Sequence, residues 1–488
     1  MILSLLLGKI KIEYKTKGDL QIDVTDICYD SRKAGKGIFF FCLCGASSDG
    51  HDYARKAYDS GCRVFALERD IDLPDDATCV YFKNTREALA YVSAAFFDFP
   101  AKQMRLVGIT GTKGKTTSAN MIAKCLCNAG IPCGYIGTSG IDYAELHFDT
   151  KNTTPESYEL HKTFRAMLDS GVKCAVLEVS SQALFNFRVA GIEFLCGVYT
   201  NLSPDHIGPT EHPNFEHYKS CKKRLFSMCE KGVFNADDDY FADMTQDAKC
   251  SISSYGIKNE ADYCAKALLP FNDGGRLGVS CTVTARGKQT SLKLSMPGEY
   301  SVLNALAVIT VCDIFGVSPE SSAKALENVF VPGRFEIVPM FGDRIFIIDY
   351  AHNEVSLKTL LETVRSYNPK RIVCLFGSVG ERTKNRRRGL GSVASELADL
   401  SIITSDNPGN EKPMDIACEI ASYFKSSDKY IKIPDRAEAI RYAVQNSRHG
   451  DIVLLCGKGH ENYQLIGSER VPFCERELLL DEYKKISK

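Results

Sequence analysis

The sequence has no CxxC pair, no apolar run long enough to span a bilayer, no internal repeat and almost no net charge. Each absence excludes something. With 60 Lys+Arg against 61 Asp+Glu, the formal charge of −1 leaves no nucleic-acid footprint, and no block of like charge forms a tail. An acidic, phosphorylated substrate would have to be met by local charge. A close cysteine pair, Cys125-x-Cys127, has helix spacing, which argues against a zinc site. The 20 cysteines are scattered, and Cys174, Cys312, Cys374 and Cys456 sit in apolar runs. They read as small buried hydrophobes of a chain in a reducing cytosol. The opening MILSLLLGKI lacks a basic segment before its apolar run and a small-residue cleavage site. It reads as the first helix of a domain, not a signal peptide.

What is present is ordinary in bulk and specific in detail. The 488 residues are enough for roughly three domains. Hydrophobic content of 44 % and charged content of 25 % are those of a globular chain. The most informative stretch is RLVGITGTKGKTT, residues 105–117. Leu106, Val107 and Ile109 predict a buried parallel strand ending at Thr110. Gly111-Thr112-Lys113-Gly114-Lys115-Thr116-Thr117 follows, then a helical stretch stopped by Gly130. Strand, Gly-rich turn and helix make a phosphate cradle of inward N–H groups at a helix N-terminus. Lys115 supplies a mobile ammonium for the outer phosphates of ATP, and the Thr116 hydroxyl is placed to ligate Mg²⁺.

The spacing of the rest predicts alternating strands and helices, hence α/β domains around a doubly wound parallel sheet. Residues 1–100 read as a small α/β domain. Its Asp30-Ser31-Arg32 and its loop GASSDGH suit a phosphate or diphosphate, or are simply a turn and a solvated loop. Residues 101–332 read as the central domain. CAVLEVSSQAL is a buried strand ending in Glu178-Val179-Ser180-Ser181, and an acid at a strand's C-terminal end is where a Mg²⁺-binding carboxylate belongs. Asp205-His206 leaves the end of the next strand. In the helix predicted over 215–227, periodicity alone makes Lys222 a surface lysine. Residues 333–488 alternate again, and strands end in DYAH, in the basic loop GERTKNRRR, in SDNPG and in GKGHE. Ligands of open α/β sheets bind at such ends.

The ordered series GTKGKTT, NTTPE, LEVSSQAL, NLSPDHIG, HYKSCK, LNALA, PGRFE, DYAH, DNP and GKGHE resembles the Mur ligases of MurE type, from about Asp30 to the C-terminus. The resemblance implies three domains: a small N-terminal UDP-binding domain, a central P-loop ATPase-like domain and a C-terminal Rossmann-like domain. It implies a cytoplasmic, monomeric enzyme of peptidoglycan synthesis that adds an amino acid to UDP-N-acetylmuramoyl-L-Ala-D-Glu through an acyl phosphate. Ser31 and Arg32 then meet the uridine diphosphate. Asn152, Thr153, Thr154, Ser180 and Arg188 hold the muramoyl-dipeptide. Glu178 and His206 bind Mg²⁺, and Lys222 is carried as an N-carbamate. Asn304, Arg334, Asp349 and His352 contact nucleotide at the central–C-terminal seam. Arg382, Asp406, Asn407, Gly457 and Glu461 form the amino-acid pocket.

The same resemblance bears on the amino acid. Diaminopimelate-adding members read DNPR where this chain has Asp406-Asn407-Pro408-Gly409. Gly409 cannot pair a second carboxylate, whereas Asp406 and Glu461 could neutralise a side-chain ammonium. The expectation is therefore L-lysine, with meso-diaminopimelate (reached by another arginine such as Arg386 or Arg387) and ornithine as alternatives. The DSR domain and NTTPE argue against a folylpolyglutamate synthase. The absence of a Cys-rich ribbon argues against a non-catalytic, Mur-like amidotransferase subunit.

Overall fold

The computed structural model describes residues 1–45, 48–208, 211–338, 342–381 and 384–486. They pack as two compact units, Met1–Cys264 with Leu306–Pro319, and Ala265–Ala305 with Glu320–Lys488.

The first unit holds two sheets. Strands β1 (Tyr14–Lys17), β2 (Asp26–Cys28), β3 (Ile38–Phe41), β4 (Val64–Leu67) and β5 (Thr78–Phe82) lie in the order β1-β5-β4-β3-β2. All pairs are parallel except β1 with β5. The opening segment is a helix, Leu3–Gly8, whose Leu3, Leu6 and Leu7 enter this sheet's core.

The second sheet is built from β6 (Arg105–Thr110), β7 (Cys133–Gly137), β8 (Gly140–Tyr143), β9 (Leu146–Phe148), β10 (Cys174–Glu178), β11 (Phe194–Tyr199), β12 (Cys229–Asn235) and β13 (Ser251–Gly256). Their order is β13-β12-β11-β6-β10-β7-β8-β9, parallel from β13 to β7 and antiparallel beyond. Strands β6, β7 and β10 are covered on both faces, which is why they read as unbroken apolar runs rather than alternating ones. Because β10, β6 and β11 are parallel neighbours, Glu178, Thr110 and Tyr199 end on one edge of the sheet.

In the second unit, β14 (Tyr263–Asp273, its first two residues in the first unit), β15 (Arg276–Ala285) and β16 (Lys288–Leu294) follow in sequence, β15 and β16 antiparallel. Six strands form the last large sheet: β17 (Glu336–Val338), β18 (Ile345–Asp349), β19 (Arg371–Phe376), β20 (Leu400–Ile403), β21 (Tyr430–Lys432) and β22 (Asp451–Cys456). Their order is β17-β18-β22-β19-β20-β21, parallel except for β17. The helix Glu354–Arg365 covers one face with Leu357, Leu360, Leu361 and Val364, the i, i+3, i+4, i+7 spacing of an amphipathic helix. A hairpin, β23 (Tyr463–Ile466) with β24 (Glu469–Pro472), follows β22.

Three local readings change. The run CAVLEVSSQAL leaves the sheet at Glu178, and Ser181–Phe185 is a short helix capped by Ser180. The basic run after β19 is not a loop: Lys384–Leu397 is a helix, consistent with the good helix propensity of Lys and Arg. The helix at 215 ends at Lys223 and continues as a 3₁₀ turn, Arg224–Ser227. All 20 cysteines are free thiols, most of them buried. Among the described residues no helix is long and apolar enough to cross a membrane.

Candidate active site

The turn after β6 is held from below. Gly111 has φ +149°, and a Cβ there would stand 1.9 Å from Thr200 Oγ1, so only glycine fits. Asn201 accepts from the Lys113 N–H (2.9 Å) and donates to the Lys113 carbonyl (3.0 Å). Gly114, at φ +84°, begins the helix Lys115–Asn128. Lys115 Nζ donates to the carbonyls of Gly111 (2.9 Å) and Thr112 (3.1 Å). Thr112 bonds the Tyr218 hydroxyl (3.1 Å), and Thr117 is buried in the first turn of the helix.

Glu178, 1 % exposed, is a heavily bonded carboxylate at this edge. It accepts from Thr116 Oγ1 (2.9 Å), Tyr135 OH (2.6 Å), the Thr138 N–H (2.9 Å) and Thr138 Oγ1 (3.2 Å). Thr116 and Glu178 thus put two oxygen donors side by side, the donor type that suits a hard cation such as Mg²⁺. His206 has φ +54° and pairs with Glu211 (3.1 Å), its ring 6.1 Å from that of Tyr218.

Lys222 is only 1 % exposed, which corrects the surface position that periodicity assigns it. Its Nζ donates to the Gly111 carbonyl (2.9 Å) and lies 4.5 Å from the centre of the Tyr218 ring. Burial, reinforced by the nearby Lys115 charge, holds its amine well below the usual lysine range.

Other positions named from sequence gather nearby. Thr153 shares a hydrogen bond with Thr138 (3.1 Å). Thr154 donates to the Glu178 carbonyl (2.7 Å) and accepts from the Ser180 N–H (3.1 Å). Ser180 is committed as a helix cap. Arg188 donates to the Thr154 carbonyl (3.0 Å) and pairs with Glu156 (2.8 Å), while Asn152 is exposed. Tyr29 OH donates to Glu159 (2.8 Å), and Tyr158 OH to Asp26 (2.7 Å), tying the DSR turn to the helix Ser157–Asp169. Arg32 is held by Asp30 (2.7 Å), and Ser31 opens the same turn. Ala46 and Ser47 of GASSDGH lie outside the described residues.

The second unit has its own cluster. Asp349, at the end of β18, accepts from the N–H groups of Phe335 and Ala351 (both 2.8 Å). Arg334 lies over the Tyr350 ring (4.5 Å), the His352 ring is edge-on to it (4.7 Å), and Asn304 is largely buried in the helix Glu299–Ile314. Gly457, at φ +111°, donates its N–H to the Asp349 carbonyl (3.0 Å).

Sequence reading missed the cation at the centre of this pocket. Lys458, fully buried, donates to Asn407 Oδ1 (2.9 Å) and Glu461 Oε2 (2.8 Å) and stands 3.9 Å from Asp406. Asn407 also donates to Glu461 (3.0 Å). Burial pushes the Asp406 carboxyl up, against the pull of Arg436 and Lys458. Arg436, equally buried, donates to Glu475 (2.8 Å) and to the carbonyls of Ser405 (2.9 Å) and Cys456 (2.8 Å). The signal for Lys458 was in plain view inside GKGHE.

Gly380 N–H donates to the Asn407 carbonyl (2.9 Å), and Arg387 pairs with Glu411 (2.8 Å) and Glu419 (2.6 Å). Arg386, half-buried one residue before, lies close enough for its charge to act on the Asp406 carboxylate. Arg382 lies outside the described residues.

A phosphate cradle with hard-cation donors in one unit and a charged strand-end pocket in the other define an ATP-dependent ligase that joins an acid to an amino acid. Residues 109–312 match the Mur ligase middle domain, and residues 333–459 match the Mur ligase, glutamate ligase domain. The chain is 38 % identical over 470 residues to the UDP-N-acetylmuramoyl-L-alanyl-D-glutamate–2,6-diaminopimelate ligase of Caldanaerobacter subterraneus subsp. tengcongensis, covering 96 % of each. It is 36 % identical over 488 residues to the ligase of the same name from Clostridium perfringens, covering 99 % of each. A solved structure with that ligase's name matches 95 % of this chain and 96 % of its own at a TM-score of 0.69 and 25 % identity. The chain belongs to the Mur ligase family, in its MurE-type branch.

Proposed function

We propose that the protein joins meso-diaminopimelate to the D-Glu of UDP-N-acetylmuramoyl-L-Ala-D-Glu, with ATP converted to ADP and phosphate, in the cytoplasm as a monomer. The relatives bear that reaction's name over nearly their whole length. The name these relatives share is what favours diaminopimelate over the lysine expected from sequence. Lys458 holds Glu461 and stands 3.9 Å from Asp406, one ammonium between two carboxylates, which leaves negative charge for the distal ammonium that diaminopimelate and lysine both carry. Gly409, at φ +57°, offers no side chain, and Arg386 is the cation we assign to the second carboxylate.

In this reading the domains are 1–100 for UDP, 101–332 for ATP and 333–488 for the amino acid. Ser31, Arg32, Asn152, Thr153, Thr154 and Arg188 hold the nucleotide-sugar peptide. The cradle N–H groups and Lys115 bind the ATP phosphates and orient the γ-phosphoryl group. Thr116, Glu178 and His206 would hold Mg²⁺, which supplies charge screening between the two anionic reactants. Asn304, Arg334, Asp349 and His352 contact the rest of the nucleotide. The D-Glu carboxylate attacks the γ-phosphorus and leaves ADP and an acyl phosphate. The diaminopimelate amine then attacks the acyl carbon and expels phosphate. Arg382, Asn407, Gly457 and Glu461 orient that amine, and exclusion of water protects the acyl phosphate.

An ammonium at Lys222 would oppose the cation. Its buried, weakly basic amine is suited to take up CO₂ as a carbamate, which reverses its charge.

ADP release with the UDP-dipeptide, ATP and Mg²⁺ tests the reading, with meso-diaminopimelate, L-lysine and L-ornithine compared side by side. Turnover with diaminopimelate is expected. Preference for lysine would overturn the pocket assignment, and no turnover with any would overturn the reaction.

A further inference from the structure

Three side chains outside the phosphate cradle converge on one point of the first unit. His212 and Cys221 are fully buried, and His217 is half-buried at the surface of the cluster. The two imidazole Nδ1 atoms are 2.9 Å apart, and Cys221 Sγ is 3.9 Å from His217 Nδ1. All three donor atoms lie within 4.8 Å of one another.

The local structure explains the convergence. Asn214 caps the helix Phe215–Lys223 by accepting from the His217 N–H (2.9 Å). His217 and Cys221 are four residues apart on that helix, so they share a face. His212 is brought back to them by its N–H donating to the His206 carbonyl (3.0 Å) and its carbonyl accepting from Gly208 (3.0 Å). Its other nitrogen, Nε2, bonds Ser181 Oγ (2.9 Å), which fixes the ring plane. Phe185 lies against both imidazoles, 5.0 Å from His217 and 6.1 Å from His212.

We propose that His212, His217 and Cys221 form a binding site for a borderline-soft divalent metal such as Zn²⁺, separate from the oxygen donors of Thr116 and Glu178. Tetrahedral bonds of about 2.0–2.1 Å to nitrogen and about 2.3 Å to sulfur put nitrogens about 3.3 Å apart and sulfur about 3.6 Å from nitrogen. The nitrogen pair at 2.9 Å and the Cys221–His217 pair at 3.9 Å fall on either side of those values by a few tenths of an ångström, and the third pair lies within 4.8 Å. Two imidazoles and a thiolate select such metals over Mg²⁺. The protons balance simply. The Nδ1 proton now shared between the rings moves to an Nε2, that of His217 if His212 already donates from Nε2 to Ser181, otherwise that of His212, where Ser181 Oγ accepts it, and both imidazoles stay neutral. The Cys221 thiol loses its proton, and water takes the fourth position on the half-buried side at His217. Ser181 is then the second-sphere partner that orients a metal-bound histidine. The ion would clamp the loop carrying His206 onto the helix carrying Lys222.

Co²⁺ titration of the purified full-length protein, with excess Mg²⁺ to fill the oxygen site, tests this. One equivalent should bind with a thiolate-to-cobalt charge-transfer band, and Zn²⁺ should bleach it. The band should vanish in Cys221→Ser, and His217→Ala should weaken binding at least tenfold. Circular dichroism checks that each variant is folded, and His217→Ala, at a half-buried position, keeps the test open if Cys221→Ser is not. Co²⁺ uptake without a thiolate band, a band unchanged in Cys221→Ser, or no uptake at micromolar metal would each overturn the site.

Discussion

Lys222 Nζ donates to the Gly111 carbonyl across 2.9 Å, and Lys115 Nζ donates to the same oxygen over the same distance. Two ammonium groups on one acceptor repel, and the deeper one loses its proton more readily. Lys222→Ala should lower kcat by roughly a hundredfold or more, as loss of a charged transition-state contact does. Depleting dissolved CO₂ should slow the native enzyme reversibly, and intact mass after gentle isolation should show one added CO₂. An unchanged rate in CO₂-free buffer would remove the carbamate from the account.

Glu178→Gln replaces an oxygen that accepts from Thr116 and Thr138 with an amide on one side. The Mg²⁺ concentration for half-maximal rate should rise, and kcat should fall by roughly a hundredfold. Thr116→Ala should shift the Mg²⁺ dependence in the same direction. Initial rates across a Mg²⁺ series read both effects.

Arg386→Ala should raise KM for meso-diaminopimelate roughly ten- to a hundredfold, the cost of losing a charge-assisted hydrogen bond of about 1.5–3 kcal/mol. The kcat should change far less. Any residual turnover of L-lysine, which has no second carboxylate, should be indifferent to the substitution. Equal losses on both substrates would assign Arg386 a purely structural role.

His161 is 1 % exposed and lies edge-on to Phe164 (5.9 Å), and burial holds its imidazole at about 4 instead of 6.5. The folded state keeps this ring neutral while the unfolded chain protonates it below pH 6.5. Stability should therefore fall as pH drops from about 6.5 to about 4 and level off below that. The loss is roughly 3 kcal/mol from this group. In His161→Leu the pH dependence of the urea midpoint should be shallower over that window. A slope equal to the native one would show that other groups carry it.

What could be read from the chain was what its neighbours in sequence determine. The cradle from Thr110 to Thr117 is contiguous, and the glycines that shape it are adjacent to the lysine that uses it. Lys222 could not be read that way. Its place in the helical repeat is polar, and only a partner 111 residues away, Gly111, makes it interior. Lys458 stands within the recognised GKGHE, but its burial depends on Asn407, 51 residues distant. The basic run after β19 looked like a loop because its charges are dense, yet Arg387 spends its charge on Glu411 and Glu419 across a helix face.

Lys458 also bears on inhibition. The pocket carries a cation of the protein's own, locked to Asn407 and Glu461 and closed to solvent. That ammonium is already taken up by Asn407 and Glu461, so a competitive inhibitor gains no anchor from it for either a carboxylate or an amine. Lys458 is a strut of the pocket wall rather than a handle for a ligand.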